Sequence, residues 1–161
     1  MKTKKKNFIW LVSLAIGFVF VACDPSDDNN NDDGTSSADQ VALIAQDGNW
    51  RVSTYTDDGE DETSDYNGFT FTFGSDGVLT AMSSSRTLVG TWSVTDSSNS
   101  SDDDDGTDDD DFNIFFSVSD DDDFDDLVDD WDITLVNSTT ISLIDISGGN
   151  GGTDILIFTK N

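Results

Sequence analysis

From Trp50 to Lys160, apolar residues tend to recur at every second position. In the clearest run, Gly68-Phe69-Thr70-Phe71-Thr72-Phe73, rings alternate with hydroxyls. A period of two puts successive side chains on opposite faces of a strand, so a chain patterned this way folds as sheet with one buried face. The pattern predicts strands over 49–56, 67–74, 77–83, 86–95, 112–118, 131–137, 139–146 and 153–160. Ser75-Asp76-Gly77 and Asn137-Ser138 are tight hairpin turns between neighbouring runs. Eight short strands with short connections predict an all-β fold, a small eight-stranded antiparallel up-and-down barrel. Closure leaves no edge to aggregate. A β-sandwich is the alternative, with the 97–111 connection long enough to be a crossover.

Two helical segments interrupt the alternation. Ser37-Ala38-Asp39-Gln40 has the form of a capping box, and Val41, Leu43 and Ile44 give the next turns an apolar face before Gly48. This predicts a short N-terminal helix. Ser119, followed by Phe124, Leu127, Val128 and Trp131 at i, i+3, i+4 and i+7, predicts one short helix in a loop.

Charge and composition remove several function classes. The 161 residues carry 34 acidic and 7 basic side chains, a formal charge of −27, with no His and one Cys. Nucleic acid is excluded as a partner, because its binding needs Lys and Arg on phosphates. Without His no Ser-His-Asp triad can be built, and one Cys allows neither an internal disulfide nor a thiolate zinc site. The carboxylates sit in polar runs, where nothing raises one to a catalytic pKa. The expectation is therefore a protein that is not an enzyme, with no catalytic residues. Eight carboxylates fall within the ten residues Asp102–Asp111, and six within the seven residues Asp120–Asp126. Such loops are solvated and self-repelling. Calcium is the one ion they suit, bound weakly, with Asp103, Asp105, Asp109 and Asp111 as candidate ligands.

Lys2, Lys4, Lys5 and Lys6 precede an apolar run from Phe8 to Ala22, the pattern of a secretory signal and too short for a membrane span. The run ends Phe20-Val21-Ala22-Cys23, which resembles the lipobox of bacterial lipoproteins. That resemblance implies a lipoprotein signal peptide over 1–22 and acylation of Cys23, which anchors the chain to a membrane. Residues 23–36 then read as an acidic disordered tether. Ser26-Asp27-Asp28 resembles the export signal of Bacteroidetes-type surface lipoproteins, implying the outer membrane and the cell surface.

Residues 37–161 form the remaining domain. Gly48-Asn49-Trp50 opens the first strand after a short helix, which resembles the G-x-W motif of lipocalins. Small lipocalin-like bacterial lipoproteins are similar in the same order of elements. The resemblance implies that Trp50 closes the barrel base, with a basic residue of the last strand, Lys160, packed over it. Trp50, Trp92 and Trp131 each begin a W-x-[VI] triplet, either an internal repeat or Trp at the strand starts of one barrel.

Strand alternation sends Trp50, Phe69, Phe71, Phe73, Trp92, Phe112, Phe116 and Trp131 to one face. The reading is a lipid-anchored surface protein whose barrel binds a small apolar ligand or an envelope partner. Its alternative is a structural or accessory module with a filled barrel. In a meander the loops at 57–66, 83–86, 119–130 and 147–153 share the end opposite the tether. Tyr66, Phe124 and Asn150 are the candidate binding rim there. Cys23→Ala should yield an uncleaved precursor that takes up no radiolabelled fatty acid, and normal labelling of that variant would refute the lipidation.

Overall fold

The computed structural model describes residues 37–96, 110–146 and 152–161. Helix α1 (Ser37–Gln46) precedes nine strands. These are β1 (Trp50–Asp57), β2 (Glu60–Asp61), β3 (Thr70–Phe73), β4 (Val78–Met82), β5 (Thr87–Thr95), β6 (Asp111–Phe116), β7 (Asp129–Asn137), β8 (Thr140–Ile146) and β9 (Thr153–Lys160). All strands but β2 pair in the order β1-β3-β4-β5-β6-β7-β8-β9, and β9 returns to β1. The result is a closed eight-stranded antiparallel barrel, with β2 outside it beside β1.

Closure is uneven. β1 runs against β9 from Trp50↔Lys160 to Thr56↔Ile155, with a bulge between Val52 and Thr54. It meets β3 at one position, Trp50↔Phe71. Where β3 falls away, the 57–69 connection takes its place. The Thr63 hydroxyl accepts from the Tyr55 amide at 2.8 Å and donates to the Tyr55 carbonyl at 3.2 Å. Thr63–Tyr66, within this connection, is a 3-10 turn.

The segment read from its apolar spacing as helical, around 119–131, is instead a chain of turns. Backbone bonds run Asp122→Ser119, Asp125→Asp122 and Val128→Asp125, each three residues apart. Six acids in seven residues explain this, because a helix would stack like charges at i+3 and i+4. Ser37 does not act as the expected box residue either. Its hydroxyl donates to the buried Asp110 carboxylate ahead of β6.

The interior is packed with rings. Seven of the eight aromatics expected on one face are buried, and Phe69 is half-buried against them. Phe73 stands near the centre, with centroids 5.1 Å from Trp92, 5.4 Å from Phe112 and 5.6 Å from Phe158, all edge-on. Gly90 faces inward and makes room for Phe116, whose ring a Cβ at that position would overlap. Each barrel Trp also ties a connection to the wall. The indoles of Trp50, Trp92 and Trp131 donate to the carbonyls of Ala45 (2.8 Å), Gly74 (3.0 Å) and Leu127 (3.2 Å). Trp50→Ala should therefore lose both a buried ring and the helix dock. In urea the variant should be less stable by about 3–5 kcal/mol, and an unchanged midpoint would contradict this packing.

Candidate functional site

The base carries Trp50, whose side chain is fully buried. The Lys160 ammonium lies 5.9 Å from its ring centroid, inside cation–π range, and pairs with Asp47 at 2.8 Å. Gly48 has φ 117°, and a Cβ there would stand 2.7 Å from Lys160 Cε. The glycine of the motif is thus needed twice, for its backbone conformation and for the path of the lysine.

The opposite end is closed by a plug. Tyr66 and Phe124, read from their loop positions as a binding rim, are each only 2% exposed. Their rings meet edge-on at 5.6 Å, and Phe124 also packs on Phe69 at 4.8 Å and Phe116 at 5.2 Å. Tyr66 donates to the Asp123 carbonyl at 2.6 Å and Tyr55 to that of Asp126 at 3.3 Å. These two residues are corrected from rim to core. A mouth this wide has to be filled, and the apolar residues of the loops are what fill it. Outside, Arg86 sits 5.5 Å from the Phe124 centroid and makes a two-pronged bond to Asp122. That pairing holds Asp122 below the usual carboxylate range.

A layer of acids surrounds the plug. Strand alternation puts Asp57, Asp129, Asp145 and Asp154 on the same face as the buried Tyr55, Trp131, Leu143 and Leu156. Asp145 and Asp154 are directly opposite each other in the β8–β9 register. Burial, and then the neighbouring Asp154, push Asp57 up, and the two share a hydrogen bond. Glu62 and Asp126 are raised in the same way, by partial desolvation and then by the surrounding carboxylates. Asp129 is pushed up to about 6, first by burial and further by Asp145 and Asp130. Both tyrosines are raised as well, burial being the larger cause.

Cys23, Asn150, Asp103, Asp105 and Asp109 lie outside the described residues, as do the signal and tether segments. Asp111 opens β6 opposite Thr95 and Asp132. Among the described residues, no three acids, His or Cys are grouped to hold a metal ion. Sequence reasoning missed a notch of about 620 Å³ on the outer wall, lined by β5, β6 and the start of β7. Its exposed ring, Phe115, is 53% accessible, and lay hidden in an ordinary Phe-Phe pair.

No family model matches the chain, and no curated protein matches it. Among solved structures it is similar to the crystal structure of a DUF4847 family protein from Bacteroides vulgatus, with 19% identity and a TM-score of 0.49. The match covers 75% of this chain and 97% of that one.

The raised carboxylates set a pH dependence. A folded-state pKa above the unfolded value means that the folded protein holds its proton more tightly. Its contribution is then greatest below the ordinary carboxylate range and is lost as pH rises through the folded value. For Asp129 that loss centres near pH 6. The melting midpoint should be higher at pH 5 than at pH 8, by several degrees, since about 1 kcal/mol moves a domain of this size by roughly 4 °C. Asp129→Asn should flatten that slope, and a midpoint that instead rises from pH 5 to pH 8 would refute the assignment. Below the usual carboxylate range the Asp122–Arg86 pair is lost and the midpoint should fall again.

Proposed function

We propose that this is a lipid-anchored bacterial surface module, lipocalin-like in architecture, that works through its exterior and not as a carrier of an apolar molecule. The observation behind this reading is the ring-filled interior, where Phe73 and its neighbours occupy the space a ligand would need. An eight-stranded barrel is just wide enough either to be filled by its side chains or to hold one small ligand. The lipobox and the acidic residues after Cys23 support anchoring at the outer membrane with the domain displayed at the cell surface. The partner is then an envelope component met by contact, without catalysis. Weak calcium binding at the 102–111 acids belongs to the same reading, as an adjunct to the surface and not as a catalytic centre.

Chain direction supports an orientation. Helix α1, the 74–77 turn and the β7–β8 turn lie at one end, and the tether joins there. The plugged, acid-ringed end carries the 57–69 and 117–128 connections and faces away from the membrane. N-phenyl-1-naphthylamine, a neutral dye that brightens in apolar cavities, provides the test. Natively purified protein should show no saturable enhancement, whereas Phe73→Ala should gain binding through the cavity it opens. Saturable binding by the unmodified protein would overturn the filled-barrel reading and restore the apolar-ligand one.

A further inference from the structure

The outer-wall notch has a structural cause. β6 and β7 pair from Asp111↔Asp132 to Ile114↔Asp129 and no further, while β5 and β6 continue to Thr91↔Phe115 and Gly90↔Phe116. The chain entering β7 is drawn inward because Phe124 and Leu127 are buried in the plug. A step is left in the outer surface beside Phe115. It is bounded by Thr91 and Ser93 on β5, Asn113 and Phe115 on β6, and Val128, Asp129 and Asp130 at the start of β7.

The chemistry of this step is one-sided. Asn113 already donates to the Thr95 hydroxyl at 3.1 Å and to the Asp111 carbonyl at 3.4 Å, so its amide N–H groups are engaged. Asp129 and Asp130 bring acceptors, and the two hydroxyls accept as readily as they donate. Among the described residues no cationic side chain lines the step. Phe115 presents an exposed aromatic ring beside these acceptors. An anion is repelled here. A polyol would bring acceptors with few donors to meet them. An ammonium has three donors and no acceptor, and it is attracted to a ring face.

We propose that the notch between β5, β6 and β7 binds a primary alkylammonium group, its charge at Asp130 and over the ring of Phe115. The chemistry is shared by free polyamines and by lysine side chains of a partner protein. The strongly negative net charge of the chain steers such cations towards it, but the ring and the step give them one place to stop.

The test is NMR titration of the full chain with spermidine in one arm and N-acetyl-lysine-methylamide in the other, at 150 mM salt. Expected is saturable binding with shifts centred on Thr91, Asn113 and Phe115. Phe115→Ala should weaken it by about three- to fivefold, the contribution of an exposed cation–π contact. Asp130→Asn should weaken it as well, and Glu60→Gln, which removes the same charge from β2, should not. Binding of spermidine alone identifies a free polyamine, and binding of the lysine amide identifies a protein partner. Equal weakening by Asp130→Asn and Glu60→Gln would reduce the effect to general attraction and overturn the site, as would the absence of saturation in both arms.

Discussion

Trp50 is where the barrel closes. It makes the one β1–β3 register pair, with Phe71, and is at the same time the partner of Lys160 on β9, so both neighbours of the first strand meet at one residue. Its indole bonds the last turn of α1, and its ring supports the lysine that ends β9. Along the outer half of β1 the β3 side is taken by the 57–69 connection, which pairs through β2 and bonds Tyr55 through the Thr63 hydroxyl and the Glu62 amide. Remove the closure at Trp50 and β1 keeps only the β9 seam and that loop. The remaining strands would then form an open sheet with two exposed edges.

The two ends are closed by the same device. At the base a tryptophan lies under a lysine that is paired with an aspartate; at the mouth a phenylalanine lies under an arginine that is paired with an aspartate. Beyond Lys6 the sequence has three basic residues, Arg51, Arg86 and Lys160, and two of them are used this way. In each case the cation satisfies a ring and a carboxylate together. An isolated surface ion pair adds little stability. A cation fixed between a packed ring and an acid also holds a loop in register, and here it is loops that seal the barrel.

Much of this was legible in the residues because period two survives any tertiary detail. The run at 153–160 coincides with β9, that at 67–74 differs from β3 only at its ends, and Trp50 with Lys160 stood out through a short motif. The misreadings have a common source. Phe124, Leu127 and Trp131 fall at helical spacing, and Tyr66 and Phe124 occupy loops, so one pattern read as a helix and the other as a rim. Both arise from a plug, an arrangement that buries loop residues across a barrel mouth without regular periodicity. Burial of that kind depends on the diameter of the closed barrel, which no local window contains. The notch beside Phe115 was invisible for the same reason, because it exists only where the plug draws the chain away from β6.

Electrostatic cost is concentrated at the plugged end. Asp57, Glu62, Asp126 and Asp129 all hold protons more tightly than free carboxylates do, and all belong to the layer around the mouth. A raised carboxyl marks a place where the fold keeps negative charge against its own preference, for like charges and partial burial both oppose ionisation. One aspartate in the same region, Asp122, is relieved by its pair with Arg86. Such a layer lowers stability at neutral pH without helping to pack the core. A positive group arriving at this end would meet carboxylates that repel one another.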